Sequence, residues 1–421
     1  MLIYRNVASV MSASLLLQIS VGVLGVALPL AMALAGWSGL MIGLVVAGYG
    51  AGFMVGAWIS PKVIGTIGHI RAYAAFAGGA AGLTLMLALD SSPGWWLAAR
   101  FGFGLCAAGI FAVAESWIAD ATPSERRGAV ISMYQIVGRA GLILGPFLLA
   151  FPGVALTESF VIAGIFLAFA LIPVTATRQH QPALPEGETV SPLRLISIAP
   201  AAAGAAFAAG AINSGLLAFI PIWAQTLDPA RISGAAAIAL ASIYFFSMLI
   251  QWPLGKLSDL VDRRLVIAGL ALAASVFAGV LAFFVSPGLT LGAVLVGLWG
   301  AASLCYYGVA VAHAADRSTI EELPAIASGI LLVWAAGSVI GPILAGLAYA
   351  SAWEARGLFL YAAVASFILS ALVLWRSRAR APARPEEREP FVNLQATSGA
   401  LAEIDRPDED YDAEPLRSRM D

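Results

Sequence analysis

Four ionisable side chains stand inside long apolar runs, where charge is expensive: Arg100, Glu115, Arg139 and His313. Arg139 lies about ten residues into its run, roughly 15 Å deep at the rise of a helix. An arginine at that depth costs on the order of 2.5–3.5 kcal/mol on insertion scales and normally faces a bundle interior. Gln135 is one turn away on the same face. Such a guanidinium could bind an organic anion, pair with Glu115 on the adjoining helix, or snorkel to the interface. Glu115 and His313 occupy equivalent places near the ends of two runs. A carboxylate facing low dielectric and a histidine can both exchange protons near neutral pH, so either could carry a coupling proton, or both could simply shape a mouth. Arg100 is five residues from the end of its run, within reach of the surface by snorkelling. Gln18, Asn213, Ser242, Tyr244, Tyr306, Tyr307 and Trp334 are the remaining polar or amphipathic groups at mid-depth. Each is either a helix–helix hydrogen bond or a contact for an amphipathic solute. The sequence has no nucleotide motif, metal-ligand cluster or catalytic triad, so neither a cofactor nor an enzymatic reaction is expected.

The elements that position these groups follow from hydropathy. Sixty per cent of the 421 residues are hydrophobic, eleven per cent are charged, and the mean hydropathy is +0.87. A soluble domain carries about a quarter charged residues, so this composition belongs to a chain that crosses a lipid bilayer many times. A span needs roughly twenty apolar residues. Twelve runs qualify, near Val10–Leu30, Gly39–Ser60, Ala72–Leu89, Trp95–Ile118, Ala129–Ala150, Glu158–Ala176, Ile198–Ile222, Gly234–Leu254, Leu265–Val285, Gly288–Ala312, Ala325–Tyr349 and Gly357–Trp375. The first could pass for a signal peptide, but with eleven more behind it we read it as a span that stays. Cys106 and Cys305 both fall inside apolar runs, and the net charge of −2 suggests no nucleic-acid partner.

Nineteen of the 23 Lys and Arg residues lie in the amino terminus, the even-to-odd loops or the carboxyl tail. That asymmetry predicts a multi-pass protein of the cytoplasmic (inner) membrane with both termini in the cytoplasm. A polar, proline-bearing stretch, 177–197, separates two sets of six spans, 1–176 and 198–375. Residues 376–421 form a charged tail with eleven acids from Glu386 to Asp421. Its composition reads as disordered, with Phe391 to Leu394 the one segment that could dock.

The two sets repeat at a shift of about 199 residues. L-C-A-A-G (Leu105–Gly109) and A-V-A-E ending at Glu115 answer L-C-Y-Y-G (Leu304–Gly308) and A-V-A-H ending at His313. Gly141, Gly145 and Pro146 answer Gly337, Gly341 and Pro342, and Gly56 answers Gly255. Gly48, Gly52 and Gly56 add two successive G-x-x-x-G spacings, suited to close helix packing or to sliding. The turn G-K-L-S-D-L-V-D-R-R (Gly255–Arg264) resembles the loop signature of the major facilitator superfamily, with Asp259 on its key acid and Asp262 in place of its second glycine. L-A-A-R-F-G-F-G (Leu97–Gly104) is similar to the family's fourth-span motif, and D-A-T-P-S-E-R-R-G (Asp120–Gly128) to its loop between spans four and five. G-L-I-L-G-P (Gly141–Pro146) is similar to the fifth-span signature of drug–proton antiporters, although Leu149 and Ala150 stand where that signature closes on glycines. In the first set, Ser60, Pro61 and Lys62 replace the expected acid and arginine.

The resemblance, over about residues 10–375, implies an all-α membrane protein of two pseudo-symmetric six-helix bundles, built from parallel repeats. It implies alternating access, a monomer, and a proton-coupled carrier of a small organic solute, with efflux ahead of uptake of an organic anion held by Arg139. It implies that spans one, four, seven and ten line the cavity, making Gln18, Asn213, Tyr306 and Tyr307 substrate contacts. It also gives Asp259, Arg263 and Arg264 a gate role and Arg100 one in proton handling or helix packing. A non-transporting sensor or assembly factor on the same scaffold is the rival from another class.

Overall fold

The computed structural model describes residues 2–151, 154–177, 192–284, 286–319, 322–379, 391–392 and 394. The central stretch 178–191 and most of the tail beyond Ala379, where disorder was expected, lie outside them. The described chain is helical: α1 Leu2–Leu34, α2 Gly39–Ile67, α3 His69–Met86, α4 Pro93–Asp120, α5 Ser124–Phe147, α6 Leu156–Thr175, α7 Pro192–Ile198, α8 Pro200–Ala208, α9 Ser214–Ala224, α10 Ile232–Leu260, α11 Arg263–Phe283, α12 Leu289–Ala315, α13 Leu323–Tyr349 and α14 Glu354–Ala379. Helices satisfy every backbone group internally, as lipid demands.

Eleven helical stretches among the described residues are long and apolar enough to cross a membrane. Helices α8 and α9 count as one, joined through a π-helical turn at Ala209–Asn213. The twelfth expected span, α3, falls short because it opens on His69 and Arg71, yet it packs between α4 and α6. Helix α7 is a second departure, a short helix where the central loop was expected to end.

Helices α1–α6 pack among themselves, as do α8–α14, and the two groups meet mainly through α2 against α13 and α5 against α10. We call the end carrying the α10–α11 turn the basic end, and the other the far end. The repeat is visible in the packing. A Cβ on Gly141 would lie 2.7 Å from the Leu15 carbonyl oxygen and 3.0 Å from the Ile19 nitrogen, so α5 rides on α1 at backbone contact. Gly337 does the same in the second group, 2.9 Å from the Ala211 nitrogen in the π turn. Gly145 and Gly341 continue the two contacts, against Ile19–Val23 and Ala211. Both helices run through their prolines, Pro146 and Pro342.

The glycine stripe of α2 turns out to be internal packing. A Cβ on Gly48 would sit 2.9 Å from the Leu97 side chain, and one on Gly56 2.8 Å from Leu105 Cα, both on α4. A different stripe crosses between the groups. A Cβ on Gly39 would stand 2.6 Å from the Gly346 oxygen, and one on Gly50 2.9 Å from the Ser338 carbonyl carbon. Phe53 then meets Trp334 edge-on at 5.3 Å between centroids. The groups are thus in backbone contact from the far end to mid-depth.

Candidate functional site

Helix α5 places Gln135 and Arg139 one turn apart, both buried, at the interface between the groups. Arg139 Nη1 donates to Ser247 Oγ on α10, which in turn donates to the Tyr244 carbonyl at 2.9 Å. The Cys305 thiol of α12 donates to the Ser247 carbonyl at 3.5 Å. Tyr244 and Cys305 are the electrostatic neighbours of the guanidinium. The pairing with Glu115 open from the sequence is therefore not made, nor does Arg139 snorkel. It reaches instead across to the other group. Gln18 on α1 packs over the same stretch, its Nε2 3.4 Å from where a Gly138 Cβ would be.

Glu115 is 3 % exposed and lies beside Tyr134 of α5 and Tyr307 of α12. The Tyr134 hydroxyl is hydrogen-bonded to Ser14. Glu115 thus has electrostatic neighbours in both groups. His313 has a different setting, although its place in the repeat is equivalent. Its charged neighbours are Arg317, Arg264, Asp262 and Arg263, so it belongs to the basic-end cluster.

Arg100 is half-buried, and its guanidinium lies 5.0 Å from the Tyr49 ring centroid and 5.4 Å from that of Phe103. Stacking on two aromatic faces keeps a desolvated cation bound inside, and the expectation of snorkelling gives way to this stacking. Tyr49 and Tyr244 also sense each other. A row of polar groups thus runs from Arg100 through Tyr49 and Tyr244 to Arg139.

Asn213, in the π turn, is fully engaged within its own group. Its Nδ2 donates to the Ser303 carbonyl at 3.2 Å, and Ser303 Oγ donates back to its Oδ1. Tyr306 neighbours Ser303 and Tyr361 in the same group, while Tyr307 turns toward Glu115. Of the four expected cavity contacts, Gln18 and Tyr307 thus lie with the Arg139–Glu115 set, and Asn213 and Tyr306 belong to the inner packing of the second group.

At the basic end, Arg263 Nε pairs with Asp316 Oδ2 at 2.8 Å, both side chains almost fully buried, and Arg263 Nη2 reaches Asp259 at 3.4 Å. Arg264 Nη2 holds Asp262 at 2.7 Å. Burial raises the Asp262 carboxyl, but its bonds from Arg264 outweigh that and hold it below the ordinary value. The expected gate residues thus tie α10, α11 and α12 of one group together. Asp259 also accepts from the backbone N–H of Phe391 at 3.1 Å. The equivalent turn of the first group is built differently: Ser60 Oγ donates to the Gly56 carbonyl at 2.6 Å, and α2 runs on through Pro61 to Ile67.

Three residues of this arrangement were not singled out in the sequence: Ser247, Gln251 and Asp316. Gln251 is 2 % exposed, and among the described residues neither its Nε2 nor its Oε1 has a hydrogen-bond partner. It continues the α10 face of Ser247, Gly255 and Asp259 at steps of four, a spacing that could have found it.

Comparison with known proteins agrees with this architecture. The family model described as Major Facilitator Superfamily matches residues 10–249 and 202–407. An uncharacterised MFS-type transporter, YcaD, of Shigella flexneri serotype 5b (strain 8401) is 29 % identical over 378 residues, covering 88 % of this chain and 95 % of that protein. The protein of the same name from Escherichia coli O6:K15:H31 (strain 536 / UPEC) matches with the same values. Among solved structures, a bacterial homologue of the human lysosomal transporter Spinster, in an inward-facing and occupied conformation, superposes with a TM-score of 0.72 at 19 % identity, over 92 % of this chain and 98 % of that one. A D-xylose–proton symporter superposes with a TM-score of 0.70 at 14 % identity, over 91 % and 99 %. The matched model spans nearly all of the membrane-embedded chain, and the chain belongs to the Major Facilitator Superfamily.

Proposed function

We propose that the protein is a secondary carrier of the cytoplasmic membrane, with the basic end in the cytoplasm, moving a small organic solute by alternating access. The solute carries an anionic group that Arg139 receives. The supporting observation is the setting of that guanidinium. It is buried at the interface of the two helix groups, its hydrogen bond goes to a neutral hydroxyl, and no carboxylate among the described residues pairs with it. A buried cation without a counter-charge is costly, and an anion bound there offsets the cost. Gln135 and Gln18 offer amides beside it, and Arg139's planar fork suits a carboxylate or phosphate.

A proton drives the cycle through Glu115, whose electrostatic neighbours come from both groups. A site touching both halves changes its solvation when they rock, which is how protonation couples to conformation. Efflux is the direction favoured by the fifth-span signature Gly141–Pro146. Uptake of an organic anion through the same site is the second reading, and the Arg139 setting favours it equally.

The test is proton movement in proteoliposomes loaded with a pH-sensitive dye. A panel of organic anions, cations and neutral amphiphiles is added to wild type, Arg139→Lys and Glu115→Gln. Anion-evoked signals should vanish in Arg139→Lys, which keeps charge and loses the fork, and in Glu115→Gln. Signals evoked only by cations, or full anion transport by Arg139→Lys, refute the anion site. Full pH dependence in Glu115→Gln refutes its coupling role.

A further inference from the structure

The described residues of the acidic tail, Phe391, Val392 and Leu394, lie against the helices. The Phe391 ring lies on two glycines of the second group: a Cβ on Gly255 of α10 would stand 2.6 Å from its Cε1, and one on Gly308 of α12 3.3 Å from its Cζ. Its backbone N–H donates to Asp259 Oδ1 at 3.1 Å. Val392 turns the other way, its Cγ2 3.2 Å from the Cβ position of Gly128, near the start of α5. Leu394 is 3 % exposed, and its carbonyl oxygen also lies over Gly308. Within four residues the tail therefore touches both helix groups at the basic end.

It sits inside the mouth, not on its rim. Gly308 lies seven residues before the end of α12, about 10 Å in at the rise of a helix. Gln251 is one turn deeper than Gly255 on the same face of α10, and Ser247, with Arg139 bound to it, one turn deeper again. The approach to Arg139 along this face passes the Phe391 ring. Charge agrees with the placement. Glu386, Glu387 and Glu389 directly precede Phe391 in the sequence, and the basic end carries Arg126, Arg127, Lys256 and Arg317. The repeat agrees as well. Gly56, the counterpart of Gly255, is filled by Leu105 and Ala108 of its own group, whereas Gly255 is filled by the tail.

We propose that Phe391, Val392 and Leu394 form an autoinhibitory plug of the basic-end mouth. Seated, it bars the approach to the Arg139 site and occupies the gate acid. It also wedges between α5 and α10, so the mouth cannot close and the groups cannot rock. Transport requires the segment to leave. The inference rests on the alternating-access reading but on no particular solute or coupling ion.

Two measurements test it in the full chain with Cys106 and Cys305 replaced by serine. In the first, Gly128→Cys with Val392→Cys is mildly oxidised in membranes, and free thiols are counted by mass-tagged maleimide. Both thiols should disappear in the pair and persist in each single variant. In the second, Gln251→Cys is labelled in inside-out vesicles with a membrane-impermeant maleimide. Phe391→Asp, or removal of residues 380–421, should speed labelling about tenfold or more, the change expected when a docked state holds about nine-tenths of the population. Persisting thiols in the pair overturn docking. Equal labelling rates in both vesicle orientations, including none in either chain, overturn the plug even where docking stands. Faster labelling only in right-side-out vesicles reverses the assigned orientation and leaves the plug intact. Labelling needs neither solute nor proton, so failure of the anion-carrier reading leaves these outcomes unchanged.

Discussion

Gly43 offers the sharpest separation between packing and conformational change. Its Cβ position overlaps the Pro342 carbonyl of α13, standing 2.9 Å from the carbonyl carbon and 3.2 Å from Ile343 Cα. Backbone on both sides cannot give way as a side-chain tip would. Overpacking of this kind costs about 1–3 kcal/mol. In Gly43→Ala that cost falls only on states in which α2 and α13 are in contact, as they are here. A selective cost of that size shifts a two-state equilibrium about 5–150-fold. Gly52→Ala is the control. Its Cβ would stand 2.7 Å from the Phe101 carbonyl carbon, but on α4 of the same group, so it weighs on both states alike. Spin labels at Leu89→Cys and Phe284→Cys, exposed far-end positions on the two groups, report their separation by pulsed electron resonance. Gly43→Ala should populate a longer distance, while Gly52→Ala should lower the melting temperature and keep the wild-type distribution. Identical distributions in the two variants would refute the assignment of the Gly39–Gly43–Gly50 stripe as the surface that parts.

Asp316→Asn removes the close carboxylate partner of a buried guanidinium, and breaking a buried pair costs about 3–5 kcal/mol. A double-mutant cycle with Arg263→Gln, read by thermal unfolding in detergent, should show coupling, and additive effects would refute the pair's structural role. Asp262 should contribute stability at neutral pH, because its carboxyl is held below the ordinary value by Arg264. That contribution, at most about 1 kcal/mol for a partly exposed pair, is lost as pH falls through the lowered value, below about 4. Asp262→Asn should be less stable at pH 7 and show a shallower acid-side decline, and an unchanged acid slope would refute it.

Much of the architecture is legible in the sequence, because the bilayer imposes it: apolar runs of span length, loop charge of one sign, and glycine pairs repeated at a fixed shift. Gly141 with Gly145 and Gly337 with Gly341 do the same work in their two groups, as the repeat implied. What hydropathy cannot give is which faces meet across the groups. Ser247 is an ordinary serine in an apolar run, 108 residues from Arg139, and nothing local announces the contact. Glu115 and His313 match in the repeat, yet one faces tyrosines and the other arginines, because the neighbouring turns diverge in charge. The stripe in α2 with regular spacing packs internally, while the less regular Gly39, Gly43 and Gly50 carry the contact between groups. Asp316 lies just past a span end, where an acid reads as loop, and only the fold brings Arg263 to it.

The weak apolar character of α3 has a consequence for what holds it in place. Only Gly68, in a left-handed conformation at φ 81°, separates α2 from α3. Yet α3 packs mainly on α4 and α6 rather than on α2, so its place in the bundle depends on helices that follow it in the chain. His69, which opens α3, is fully buried, and Ser116 of α4 stands 3.2 Å from its Nε2. A helix too weakly apolar to be placed by hydropathy is thus held by its tertiary partners, so changes on the faces of α4 and α6 that meet α3 should weigh on the third helix more than on its strongly apolar neighbours.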